Sequence, residues 1–195
     1  MNSSQLIVIG LLLLTSCASM YEDYQGRTFV REDKLREYKP IDAKAYGIED
    51  KNLSISYVPD IVDSGVAFTF KNKTDKAIKI IWDETVYISP LGSSEAVHHT
   101  GVTIADRSNT KPPTVIPPKA THNDEIIVNS LVQFTGESWA YSPICGSRSI
   151  YDHSLDDQGC VNKVFGFYIT YEIDGKKNAL TVKYEYLGSK PKEKK

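Results

Sequence analysis

No stretch of this chain is apolar for long enough to cross a bilayer. The longest such run, Leu6 to Leu14, has nine residues, against the roughly 20 that a spanning helix needs. Charge of one sign is not in excess either: 23 Lys and Arg stand against 25 Asp and Glu, a formal net charge of -2. That balance excludes nucleic acid as an expected partner, because neutralising a phosphate backbone takes a strongly basic face. Cysteine is scarce, three in 195 residues, and a chain of this length buries a core without a disulfide framework. Signature motifs are missing as well. There is no Gly-x-Ser-x-Gly, no His-Glu-x-x-His, no P-loop and no Gly-rich dinucleotide fingerprint, so no catalytic residue, metal or cofactor is assigned and a non-enzymatic role is expected. Helical periodicity is almost absent, whereas 12 Tyr and 6 Phe suit pleated, half-buried strands.

What is present begins at the leader. Residues 1–16 are uncharged, and a short apolar run followed by small residues has the layout of a signal peptide. Leu14-Thr15-Ser16-Cys17 resembles the bacterial lipobox. The resemblance implies diacylglycerol transfer to the Cys17 sulfur, cleavage after Ser16 and acylation of the new amino group. Three acyl chains, at about 0.8 kcal/mol per buried CH₂, hold such a protein on a membrane essentially permanently. Ala18 follows in place of the Asp that retains lipoproteins at an inner membrane, so the resemblance implies an outer membrane, with the periplasmic or surface face left open. Membrane lipid through Cys17 is therefore the first expected partner.

In that oxidising compartment Cys145 and Cys160 are expected to pair. Closing a loop of about 15 residues contributes roughly 3 kcal/mol in the chain-entropy account. A zinc site with His153 is the rival, but the spacing fits no Cys-x-x-Cys pattern.

Past the lipidated Cys, residues 17–50 are dense in charge and read as a tether, with Arg31 to Glu37 as a short helix stopped by Pro40. From residue 51 to 188 the pattern has period two. Val66, Phe68 and Phe70 alternate with small or polar residues, and Ala77 to Trp82 is a buried strand. Phe165, Phe167, Ile169 and Tyr171 face Val182, Tyr184 and Tyr186 across an Asp174-Gly175 turn, a strong hairpin signal. Residues 189–195 read as a basic disordered tail. Short strands and frequent turns predict an all-β antiparallel sandwich, with a closed barrel as structural rival.

The stretch VAFTFKNKTDKAIKIIWDETVYISPLGSSEAVHHTGV, followed by DRSNTKPPTVIPPKA, resembles the immunoglobulin-like domain of small bacterial lipoproteins. The order there is a strand ending in a turn Asn, a strand ending in Trp-Asp, a His-Gly segment and a Pro-Pro loop. The resemblance implies an immunoglobulin-like sandwich and says little about activity.

Candidate binding residues follow from exposed chemistry. Pro112, Pro113, Pro117 and Pro118 stiffen residues 105–121 into an extended loop suited to docking, beside Arg107. Trp139 and Tyr141 place aromatic surface just before Cys145. His98 and His99 are neighbours on a strand and point to opposite faces, so they are not expected to share a metal; one is expected inside and one in solvent. The expectation is thus a lipid-anchored envelope interaction module, an accessory subunit or contact protein of an outer-membrane or secretion assembly with an unidentified envelope protein as partner. The alternative is a periplasmic lipoprotein that captures a sugar or a metal. A hydrolase would need His122 or His153 to meet a carboxylate and a serine.

Overall fold

The computed structural model describes residues 34–41, 46–59, 61, 64–148 and 155–191. The leader over 1–16, Cys17, the first part of the expected tether, His153 and residues 192–195 lie outside the described residues. Strands make up the fold. In chain order they are β1 (Lys34–Ile41), β2 (Gly47–Glu49), β3 (Leu53–Val58), β4 (Gly65–Asn72), β5 (Ile78–Ile80), β6 (Val86–Ile88), β7 (Ser94–His99) and β8 (Thr114–Ile116). They continue as β9 (Thr121–Val128), β10 (Val132–Phe134), β11 (Trp139–Tyr141), β12 (Ser147–Arg148), β13 (Leu155–Asp156), β14 (Val164–Ile173) and β15 (Lys176–Pro191).

The expected all-β, sandwich-like fold is what the chain adopts, built on one curled antiparallel sheet beside the two-stranded sheets β10-β11 and β12-β13. Its order is β1-β15-β14-β6-β7-β9-β4-β3-β2, with β5 on β14 and β8 on β5. The curl lays β2, β3 and β4 over β15 and β14. Phe68 meets Phe167 edge-on with ring centroids 5.2 Å apart, and the Tyr57 hydroxyl donates to the Lys183 carbonyl at 2.9 Å. Alternation explains the core. On β4, Val66, Phe68 and Phe70 point inward while Ala67 and Lys71 are exposed. On β14, Phe165, Phe167, Ile169 and Tyr171 are fully buried against Val182, Tyr184 and Tyr186 of β15. Burying such side chains contributes about 1.5–3 kcal/mol each.

The β14–β15 loop is two residues long, since Ile173 pairs with Lys176. Asp174 and Gly175 both have positive φ, 50° and 72°, the geometry of a type I′ turn whose twist matches the strands. Asn72, at the end of β4, is a buried clamp. Its Nδ2 donates to the carbonyls of Lys76, Ile116 and Pro117 at 2.7, 3.1 and 2.9 Å, which ties β8 to the sheet.

Three expectations change. Residues 34–41 are a strand, not a short helix within the tether: β15 offers a long edge, and Tyr38 of β1 packs against the core. Gly47–Glu49 is also a strand, paired to β3, so the sheet starts well before residue 51. At the other terminus β15 runs to Pro191, past the expected start of the tail at 189.

Candidate functional site

β10 and β11 form a two-stranded sheet of their own. Val132 pairs with Tyr141 and Phe134 with Trp139, and period two puts these four side chains on one face. Thr135 to Ser138 make the turn, with Gly136 at φ 98° and the Thr135 N–H donating to the Ser138 carbonyl at 2.9 Å. Val132 is buried and anchors the root; Phe134 and Tyr141 are 58% and 52% exposed. Trp139 is half-buried. Phe134 packs on one side with centroids 5.2 Å apart, and the Arg107 guanidinium lies 4.9 Å above its ring. Such a cation–π contact, partly shielded from water, contributes about 1 kcal/mol.

Arg107 is held in place from two directions. Its Nη1 donates to the Ile104 carbonyl at 2.7 Å, and its own carbonyl accepts from Asn129 Nδ2 at 3.0 Å. The structure therefore brings together Arg107, Trp139 and Tyr141 of the expected binding residues. Phe134 belongs with them and went unread, although Val132-x-Phe134 and Trp139-x-Tyr141 across a Gly-containing turn is itself a hairpin pattern.

The prolines are elsewhere. Pro112-Pro113 and Pro117-Pro118 are exposed, but they bracket an edge strand instead of forming a continuous loop: β8 pairs with β5, and Ile116 is fully buried. Proline cannot donate to a ladder, so the pairs end β8 on both sides and blunt the edge.

The histidines form a second cluster. His98 and His99 do point to opposite faces, yet both are buried, at 1% and 7% exposure, which corrects the expectation of one in solvent. The reason is that the outer face of β7 is also covered. His98 Nδ1 is 2.6 Å from Asn129 Oδ1, the same residue that holds Arg107. Burial is the main reason its imidazole titrates below the usual histidine range, with Arg107, Lys111 and His99 adding to the effect against the Asn129 bond. His99 stacks on Trp82 with ring centroids 4.2 Å apart, and its Nδ1 lies 3.0 Å from Asp124 Oδ2. His122 Nε2 meets the same oxygen at 3.2 Å. Burial alone would raise the Asp124 carboxyl, but bonds from His99, His122 and the Glu125 N–H outweigh it and hold it at about 2.

His122 and Asp124 thus satisfy part of the hydrolase requirement. No Ser, Thr or Cys among the described residues hydrogen-bonds to the ring of His98, His99 or His122, and the Nε2 atoms of His98 and His99 are buried without a partner. No group of three His, Cys, Asp or Glu among the described residues is arranged to hold a metal ion. As it stands, the cluster pins β7 to β9. A shallow open depression lined by Glu84, Tyr168, Thr170 and Lys177 lies on the outer face of β14 and β15.

Cys145 and Cys160 are joined by a disulfide. Cys160 is buried in the core, and the Cys145 N–H donates to the Ile61 carbonyl at 3.3 Å. The bond ties the segment following β11 to the start of β14. Compared with known protein families, curated proteins and solved structures, the chain finds no match.

Proposed function

We propose that the chain is a non-enzymatic, lipid-anchored interaction module of the cell envelope. It is fastened through Cys17 to an outer membrane and serves as an accessory subunit or contact protein of an outer-membrane or secretion assembly. The observation that carries this reading is the hairpin face of Phe134, Trp139 and Tyr141. It presents aromatic surface to solvent from a stapled segment outside the main sheet. A half-buried Trp and an exposed Tyr beside an Arg are side chains of the kind that dominate contact surfaces. The Leu14 to Cys17 sequence supports the anchor, and the disulfide suits an oxidising compartment.

A photo-crosslinking amino acid at Tyr141, with one at Tyr168 as control, tests the reading in intact cells. Irradiation is expected to link position 141, and not 168, to a defined component of the envelope. No adduct at 141, together with a rise in Tm on adding free sugar or Zn²⁺, would replace the proposal with periplasmic capture of a small ligand.

A further inference from the structure

Hydrogen bonds connect a buried histidine to the aromatic hairpin. His98 lies on the outer face of β7 and is nevertheless 1% exposed, because Asn129 and the segment between β7 and β8 cover it. The Asn129 Nδ2 donates to the Arg107 carbonyl at 3.0 Å, so its Oδ1 is the atom that faces His98 Nδ1, at 2.6 Å. An amide oxygen only accepts. That places the imidazole proton on Nδ1 and leaves a bare lone pair on Nε2, and this Nε2 is buried without a partner. Beyond Asn129, the Arg107 guanidinium lies 4.9 Å from the Trp139 ring centroid. The connection therefore runs from His98 through Asn129 and Arg107 to Trp139.

The charges that act on His98 have one sign. Arg107 and Lys111, both in the covering segment, oppose a positive charge on its ring, and so does His99. Lys111 is itself buried, with a side chain 7% exposed. The nearby carboxylates are engaged elsewhere or face water. Asp83 pairs with Lys111 and Glu84 with Lys177, while Asp106 bonds Thr103 and Asn109. On β7, Glu95 bonds Ser130. On β9, Asp124 serves His99 and His122. Glu125 is exposed, two positions from Ile127, the register partner of His98, and Glu137 is exposed in the hairpin turn. No carboxylate among the described residues pairs with His98. A second proton on this ring has only Nε2 to go to, where it makes an N–H⁺ without an acceptor beside two cations. Such a charge is relieved by separation and by entry of water.

We propose that His98 is a proton-operated latch on the hairpin: protonation at Nε2 lifts Arg107 and the covering segment away from Asn129, uncovers Trp139 and loosens β10 and β11. The proposal rests on the reading of the hairpin as a contact face and adds its regulation, with contact made at neutral pH and weakened in acid. The direction follows from the surroundings. Burial first, then the cations, hold the ring's titration below its ordinary 6.5. The stability that goes with a neutral ring is complete above 6.5 and is lost as pH falls through the lower value of the folded state.

Two tryptophans in the chain make a direct test. Labelling the full chain with 5-fluorotryptophan gives two fluorine resonances, and Trp139→Phe assigns them. From about pH 8 to pH 5 the Trp139 resonance should move in one step centred below 6.5. Hydrogen exchange over 104–111 and 132–141 should quicken across the same step. His98→Gln keeps a donor for Asn129 and takes no charge, so its step should vanish, whereas His122→Asn should keep it. Lys111→Met removes one opposing cation, and the midpoint should rise, a shift that a purely structural His98 does not produce. A Trp139 resonance that stays constant in folded protein, a step that survives in His98→Gln, or a midpoint unmoved in Lys111→Met overturns the latch. Crosslinking from position 141 separates the latch from the contact it controls. An adduct that weakens in acid along with the step supports both, and one equally strong across the step overturns control of the contact. No adduct at any pH overturns the contact reading and leaves the latch to be judged by the resonance.

Discussion

Asp124→Asn isolates one carboxylate whose contribution can be worked out from its surroundings. The side chain is 5% exposed. One oxygen faces His99 and His122, and the other accepts from the backbone N–H groups of Thr100 and Glu125 at 3.1 and 2.8 Å. A carboxyl held at about 2 against an ordinary 3.8 corresponds to about 2 kcal/mol of native-state stability. The sign follows from the direction. A depressed carboxyl contributes fully above about pH 4, and the contribution is lost as pH falls towards 2. Asn keeps the shape but not the charge, so the variant should be about 2 kcal/mol less stable at pH 7, or about 4–8 °C lower in Tm for a domain of this size. Urea unfolding of both proteins across pH 7 to 2 measures the gap. It should narrow below pH 4 and nearly vanish by pH 2. A gap as large at pH 2.5 as at pH 7 would refute the reasoning, because the cost would then lie in packing and not in ionisation.

Other consequences can be measured alongside. Cys145→Ser with Cys160→Ser opens a loop whose ends are 15 apart in sequence, and urea unfolding should show a loss of about 3 kcal/mol, matched by reduction of the parent. Asn72→Ala strands the carbonyls of Ile116 and Pro117; a loss of about 2–4 kcal/mol should come with faster hydrogen exchange confined to β8 and β5. Gly166→Ala brings a Cβ to 2.8 Å from the Val182 carbonyl oxygen, so strain of about 1–3 kcal/mol is expected by thermal unfolding. Phe134→Ala, at a side chain 58% exposed, should change stability by less than about 0.5 kcal/mol, whatever it does to contact.

Most of the sheet was legible where one face is core and the other is water. Phe165, Phe167, Ile169 and Tyr171 alternate cleanly, and so do Val66, Phe68 and Phe70, because burial imposes the period directly. Trp82, expected as core at the end of an apolar run, is buried with Asp83 and Glu84 exposed. β1 escaped because an edge strand rich in Lys, Arg and Glu carries its information in a partner about 150 residues away, and local charge pairs imitate a helix. β8 escaped because prolines on both sides suggest loop, whereas a three-residue edge strand needs no donors beyond its ends. One of the pair His98 and His99 is expected in solvent because alternation says which face a residue takes, not whether a later segment covers that face. Asn129 and Arg107 do so here. The aromatic hairpin was half seen, as Trp139 and Tyr141 without the cross-strand Phe134.

A lipid at Cys17 underlies the anchored module, and the most direct measurement is the intact mass of the chain extracted from membranes, compared with Cys17→Ser. The expected species begins at Cys17 and carries a diacylglyceryl group on sulfur and an acyl group on the amino terminus, and the serine variant remains unprocessed. A membrane form that begins elsewhere, or whose Cys17 carries no lipid, would contradict it.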